Sequence, residues 1–223
     1  MTNRFAGKTA FVADAASVLG RAIVARLADE GANVMAADGD GAAVRALADQ
    51  FGQSVQACAL TVTDPASWAA AIEATADAFG RLDVFVTIST NDYAAPKLIA
   101  ETSLAEFRAV TAHNLDGALY GLQTGILKMR ALGNGGAVVL VSSAACETGK
   151  AGHGALAASS HGITLMMKSA ALACTDAKDG IRVNAVQGGD AASVAAAVAF
   201  LASNQASYVT GQVIAAGNTP VAA

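Results

Sequence analysis

The chain has no apolar run long enough to cross a bilayer. In its 223 residues the longest such run, Ala191 to Ala202, stops short of the ~18 residues a membrane span needs. It has no cluster of lysine and arginine either: 14 basic residues against 18 acidic ones leave a net charge of −4, which argues against a nucleic-acid surface. Cysteine is scarce. Cys58, Cys146 and Cys174 are an odd number without metal-ligand spacing, so reduced thiols in a cytoplasmic setting are expected and no metal site is. The first apolar strand runs into Asp14 too soon for a secretory leader. No repeat, linker or low-complexity tract divides the sequence, so residues 1–223 read as a single domain large enough for one sizeable core.

What is present is an alternation. Short runs at Lys8–Ala13, Asn33–Ala37, Ser54–Leu60, Leu82–Ile88, Ala137–Ser142, Ile181–Gln187 and Gln212–Ala215 read as strands. Most are continuous Val/Ile/Leu/Ala rather than alternating, the pattern of a parallel sheet covered on both faces. Helical patterns lie between them at Val18–Glu30, Gly41–Phe51, Pro65–Phe79, Leu104–Ala131, Gly154–Thr175 and Ala191–Ser203. Asp64-Pro65 opens the third helix with a capping residue and a proline, while Gly31, Gly80 and Gly180 sit just past helix ends. The alternation predicts an α/β fold, a Rossmann-like doubly wound parallel sheet of about seven strands with helices on both faces.

Four stretches are more specific: Asn114-Leu115-Asp116-Gly117, Val141-Ser142-Ser143, Gly180-Ile181-Arg182-Val183-Asn184-Ala185-Val186 and Thr210-Gly211-Gln212. On these the chain resembles the short-chain dehydrogenase/reductase family from about Phe5 to Gly217. The resemblance implies an NAD(P)-linked alcohol dehydrogenase in which a Tyr-x-x-x-Lys pair, thirteen residues after the serine, donates the proton and anchors the cofactor ribose. Here Leu156 and Ser160 stand at those places. Leucine has no ionisable proton, and serine carries no charge to tune a neighbour.

The cofactor positions depart as well. The family's Thr-Gly-x-x-x-Gly-x-Gly loop lets backbone N–H groups approach a diphosphate at a helix N-terminus. This chain reads Ala13-Asp14-Ala15-Ala16-Ser17-Val18-Leu19-Gly20, keeping only Gly20. Val18 brings a β-branched side chain and Asp14 a carboxylate; two unit charges ~5 Å apart repel by roughly 3 kcal/mol at an effective dielectric near 20. A relaxed turn that tolerates substitution is the plainer reading. Asp38 matches the acid that bonds the ribose hydroxyls, although an Asp ending a strand is common in turns. Thr61-Val62 replaces the adenine-reading Asp-Val, and Thr87-Ile88-Ser89-Thr90 replaces Asn-Asn-Ala-Gly. The expectation is a chain that binds no cofactor, with NAD carried by a partner.

Asn114 and Ser143 match the family's relay asparagine and its substrate-orienting serine, and buried polar groups at strand ends also have a structural use. Without Tyr and Lys they read as vestigial, since a serine hydroxyl is too weak an acid. Tyr93 lies in the loop after the fourth strand, and neither Tyr120 nor Tyr208 has a lysine four positions on. His153 with Ser143 is a conceivable relocated pair, for acyl transfer or dehydration; lone histidines are more often plain surface or core residues. After Gly189 the segment that covers the substrate in the family is missing, and Asp190 leads almost directly into the last helix.

Packing elements are kept where chemistry is lost. Family members pair through their long helices, and Ala158, Gly162, Leu165, Met166 and Ser169 are interface candidates, with packing on the chain's own sheet as the alternative. The expectation is then no enzyme on its own, but a non-catalytic subunit. It would support an active short-chain dehydrogenase paralogue, as a heterotetramer oxidising a secondary alcohol. The specific substrate the resemblance brings forward is 2-[hydroxy(phenyl)methyl]succinyl-CoA of toluene degradation. Two other classes stand beside it: a homo-oligomeric ligand-binding or sensor protein, and an enzyme with relocated catalysis around His153 and Ser143. Turnover by the lone chain, lost in His153→Ala, separates the last from the others.

Overall fold

The aromatic side chains in the middle of the molecule show how the sheet is fastened. In the computed structural model, which describes residues 3–90, 96–143 and 149–217, Phe11 of β1 (Thr9–Ala13) stacks on Phe85 of β4 (Val84–Ser89) at 5.6 Å between ring centres. Trp68, fully buried on α3 (Pro65–Phe79), closes the triangle at 5.9 Å from Phe85. The long helix α5 (Gly117–Leu132) approaches this cluster through glycine. A Cβ on Gly121 would lie 2.9 Å from Trp68 Cη2, and one on Gly125 2.8 Å from Phe85 Cδ2. Small residues at these positions set how deep α5 sits, and with it the segment that precedes it.

The remaining elements follow the alternation. They are α1 (Val18–Asp29), β2 (Asn33–Asp38), α2 (Gly41–Ala48), β3 (Val55–Ala59), α4 (Leu104–Thr111), β5 (Gly136–Ser142), α6 (Gly154–Ala177), β6 (Ile181–Gln187), α7 (Ala191–Ala202) and β7 (Val213–Ala215). The seven strands form one parallel sheet in the order β3-β2-β1-β4-β5-β6-β7. Order reverses between β1 and β4, which opens a crevice at the carboxyl edge of the sheet, the usual ligand position in such folds. One core cluster packs under α1, α2 and α7, and the other under α3, α5 and α6. The doubly wound sheet predicted from the alternation is the observed fold.

Two local features depart from the simple reading. The helix expected over Leu104–Ala131 is interrupted by a π-helical turn at Ala112–Asp116. Between β6 and α7 lie only Gly188, Gly189 and Asp190; Asp190 caps α7 by accepting the Ala192 and Ser193 N–H groups at 3.0 Å each. Among the described residues no helix is long and apolar enough to cross a membrane.

Candidate active site

The β1–α1 turn is built by local hydrogen bonds. Ser17 caps α1, its Oγ accepting the Gly20 N–H at 3.0 Å and donating to the Asp14 carbonyl at 2.8 Å. The amides of Val18 and Leu19 begin the helix, where no intrahelical acceptor exists. Gly20 has no room for a side chain, since a Cβ there would collide with the Asp14 carbonyl and come within 2.6 Å of Ala15 Cα. Asp14 takes a left-handed conformation, φ +53°, the region a glycine adopts without penalty and that Asp and Asn tolerate best among the others. Val18 is 77% exposed, so its isopropyl group stands in open space at the head of the helix.

Asp38, at the end of β2, ties this turn to the next one. One carboxylate oxygen accepts the Ala16 N–H at 2.9 Å and the other the Asp40 N–H at 2.9 Å. Asp14 feels both burial and this neighbour. Loss of solvent, and then the charge of Asp38, push its carboxyl up to about 7. Beside Asp38 the turn therefore carries an acid that is half-protonated near neutrality.

On the other side of the crevice Asn114 is fully buried in the π turn, which packs against α6 and against β4. A π turn inserts one extra residue into a helix and recurs at functional sites. His113, on the same turn, is half-buried. Burial lowers its pKa, and a hydrogen bond with Asn114 and the charge of Asp38 oppose that. Ser143 follows the last residue of β5 and is half-buried. His153 is the N-cap residue of α6, half-buried, with its strand-like neighbour Lys97 paired alongside. The parallel sheet thus brings Asn114, Ser143 and His153 out along its carboxyl edge.

Leu156 and Ser160 lie on the inner face of α6, at 6% and 0% exposure. Among the described residues the Ser160 hydroxyl has no hydrogen-bond partner. Its carbonyl accepts from Thr164 Oγ1 at 3.1 Å, and Thr164 in turn accepts from Gln187 Nε2 at 3.0 Å. His161 is exposed on the far side of the helix. Of the interface candidates, Ala158, Leu165 and Ser169 are exposed and Met166 is half-buried. Gly162 instead faces its own chain, where a Cβ would sit 3.1 Å from Leu115 Cδ1. Tyr93 and Cys146 lie outside the described residues. Neither the π turn nor the left-handed Asp14 was visible in hydrophobic periodicity; only the Gly-to-Asp departure at position 14 marked the second.

The geometry of the β1–α1 turn suits a dinucleotide. The left-handed corner, the side-chain-free Gly20 and the open helix N-terminus are what a diphosphate requires of a backbone. Val18, Asp14, Ala16 and Asp38 would surround its phosphate and adenosine half. Position 160 offers the nicotinamide half no ammonium group: Ser160 is uncharged and fully buried.

A family model described as short chain dehydrogenase matches residues 8–202. The chain is 34% identical to the cis-4-hydroxycyclohexanecarboxylate dehydrogenase of Sinomonas cyclohexanicum, over 96% of this chain and 97% of that protein. It is 30% identical to the NADP-dependent (R)-specific alcohol dehydrogenase of Lentilactobacillus kefiri, over 85% and 75%. Crystalline levodione reductase superposes with a TM-score of 0.88 at 26% identity, covering 95% of this chain and 96% of that one. These relatives are named for catalysis, which overturns the expectation that the chain is no enzyme on its own. That expectation took the departures at positions 156 and 160, in the cofactor loops and after Gly189 together as loss of the chemistry. The cofactor-free expectation is corrected with it, because the family works with nicotinamide dinucleotides. The match across residues 8–202, with the parallel sheet and its carboxyl-edge crevice, makes this chain an oxidoreductase of the short-chain dehydrogenase/reductase family.

Proposed function

We propose that the chain interconverts a secondary alcohol and its ketone with a nicotinamide dinucleotide, and that His153 and Ser143 handle the substrate oxygen in place of position 156. The observation that carries this reading is the shared placement of Ser143, His153 and the π-turn Asn114 on the carboxyl edge of the sheet. When bound, the dinucleotide supplies or accepts the hydride. Ser143, whose hydroxyl both donates and accepts, holds the substrate oxygen. His153 stands one helical turn before Leu156, and imidazole is the side chain that gives and takes protons around neutral pH. It exchanges the proton with that oxygen. His161, exposed on the helix surface, does not meet this requirement. Leu156 contributes only hydrocarbon to the wall.

The relatives' names support a cyclic or acyclic secondary alcohol as the substrate class. The test is NAD(H)-linked turnover by the isolated chain across such alcohols and ketones, with 2-[hydroxy(phenyl)methyl]succinyl-CoA included in the panel. His153→Ala should lose a factor of ~10²–10⁴, the usual worth of a positioned acid–base group. Leu156→Ala should keep its rate. No turnover over the panel, or an undiminished His153→Ala, sinks the reading.

The partner remains part of this proposal: a subunit of the same fold, paired through α5 and α6. Support comes from Leu127, Leu165 and Leu172, all more than 60% exposed. Leu127, with Leu119, Ile126 and Met166, lines an apolar groove of about 800 Å³. A Leu127→Glu/Leu165→Glu variant should run as a monomer in light scattering; an unchanged oligomer would rule this face out.

A further inference from the structure

We propose that the amino edge of the sheet, opposite the crevice, carries an anion site for a phosphate-sized group, built from Arg182, Lys178, Asn204, Ser207 and Thr210. The site stands independently of the nicotinamide-dependent reading above.

These residues line one pocket of about 360 Å³, where the start of β6 meets the end of α6 and the turn after α7. Among the described residues no acid lines it. Arg182 is half-buried and bonds only neutral oxygens: Nη1 donates to the Val209 carbonyl and Nη2 to the Ser203 carbonyl, each at 3.2 Å. No carboxylate pairs with it among the described residues, and loss of solvent alone holds its pKa below the usual arginine value. A guanidinium presents five N–H donors, so those beyond the two carbonyl bonds are left for a ligand. Bonding the carbonyls that follow α7 explains the two. It does not explain a half-buried cation without a counter-charge.

The surrounding groups present donors as well. Asn204 Oδ1 accepts Lys8 Nζ at 2.8 Å, which leaves the amide NH2 as the donor end. Thr210 Oγ1 accepts the Val183 N–H at 3.1 Å, leaving its O–H to donate. Ser207 adds an exposed hydroxyl and Lys178 an exposed ammonium group. Thr175 spends its proton on the Ala171 carbonyl at 2.8 Å and contributes only wall. Lys8 lies close enough to Arg182 for the two charges to repel. The acids of this edge are engaged elsewhere. Asp179 accepts Arg130 Nε at 2.7 Å and the Ile181 N–H at 3.0 Å. Asp83, which also attracts Lys8, is held by Arg81, Asn134 and the Thr9 N–H.

Donors and cations that converge without an acid are completed by an oxyanion. Hydrogen bonds from guanidinium and ammonium to phosphate oxygens are the strong, charge-assisted kind, and the planar arginine fork matches their geometry. The ligand is a phosphate group, free or carried by a small metabolite.

The experiment is titration calorimetry of inorganic phosphate, and separately of glycerol 3-phosphate, into the full chain at neutral pH, with ionic strength held constant by chloride. One saturable site in the millimolar range or tighter is expected. A site for free phosphate takes both probes equally, and one for a phosphorylated metabolite takes glycerol 3-phosphate more tightly. Lys178 has φ +54°, a conformation glycine adopts freely at a helix end, so Lys178→Gly keeps the fold. It should weaken binding about tenfold or more, the worth of a charged hydrogen bond. Lack of saturable binding of either probe overturns the site, and so does binding that Lys178→Gly leaves intact. Displacement of phosphate by NADH would put the anion at the β1–α1 turn, which overturns this site while supporting the dinucleotide reading.

Discussion

Ser159 and Ser160 offer a controlled experiment inside the fold. Both are fully buried on α6, one residue apart, and both would become alanine in the middle of the same helix. Ser159 Oγ donates to the Leu156 carbonyl at 3.0 Å, whereas Ser160 Oγ has no partner among the described residues. Removing an unpartnered buried hydroxyl recovers its desolvation penalty, about 1–3 kcal/mol. Replacing serine by alanine in a helix adds roughly 0.5 kcal/mol. The vacated space is one oxygen atom, which at ~24 cal/mol per Å³ of cavity costs a few tenths of a kcal/mol. Ser160→Ala should therefore stabilise the chain by about 1–3 kcal/mol, while Ser159→Ala, losing a hydrogen bond worth ~1 kcal/mol, should fall within about 1 kcal/mol of the unaltered protein. Urea unfolding of both variants at constant m decides the matter. For a domain of this size the gain corresponds to a Tm increase of roughly 2–10 °C. If Ser160→Ala is neutral or destabilising while Ser159→Ala behaves as stated, the Ser160 hydroxyl has a partner and the reasoning fails.

Three further perturbations probe the frame around the site. Asp14 has a folded pKa of about 7, raised above the usual carboxylate value. The folded state thus binds the extra proton, and stability falls as pH rises from about 4 to 7 by up to ~4 kcal/mol. Asp14→Asn should flatten that slope in denaturation curves taken at pH 5 and 8; an unchanged slope would place the titration elsewhere. Gly121→Ala puts a Cβ 2.9 Å from Trp68 and 3.0 Å from Phe85. Overpacking of about 2–3 kcal/mol against a helix-propensity gain of ~1 kcal/mol leaves a net loss of roughly 1–2 kcal/mol, measured by urea unfolding. Asp83 is buried at the start of β4, where its Oδ2 accepts the Thr9 N–H at 2.8 Å. Arg81 and Asn134 also bond it. Asp83→Ala should cost about 2–4 kcal/mol by stranding these donors, and a Tm within a degree of the parent would refute it.

The sheet was legible because its strands are near-continuous runs of apolar residues, and a strand covered on both faces leaves little choice of composition. Phe11, Phe85 and the Val-rich β5 could belong nowhere else. The π turn at Ala112–Asp116 was not legible, since one inserted residue shifts the register of a helix without changing its composition. The surroundings of Asp14 escaped for a different reason. A carboxylate in place of glycine reads as a fixed negative charge, but in the fold it is buried beside Asp38 and becomes a titrating group. Gly162 looked like a helix–helix contact because small residues serve intra- and intermolecular packing alike; only the neighbour, Leu115, distinguishes them. The reading of the chain as inactive came from the missing side chains at positions 156 and 160, the departures in the cofactor loops and the short link after Gly189. The names of its relatives show that such departures do not define the class.

Several local costs in this molecule lie near where a ligand would bind, although the Thr9 hydroxyl, unpartnered among the described residues, sits at the opposite end of β1. A non-glycine residue in the left-handed region costs on the order of 1 kcal/mol or more, and an unpartnered buried hydroxyl a similar amount. Among the described residues two non-glycine positions have positive φ, Asp14 and Lys178. Lys178 follows the end of α6, where a left-handed residue closes a helix and is accounted for by that role. Asp14 closes no helix and opens the crevice. Ser142 and Ser160 hold hydroxyls without partners among the described residues, on β5 just before Ser143 and on α6 one turn after Leu156. Asn114 sits in the π turn that packs on the same helix α6. A chain kept only for its shape would gain stability by relaxing each of these through single substitutions, to glycine at position 14 or alanine at position 160. Their coincidence on the carboxyl side of β1, β4 and β5 is a physical ground for assigning a ligand to that edge, independent of any comparison of sequences.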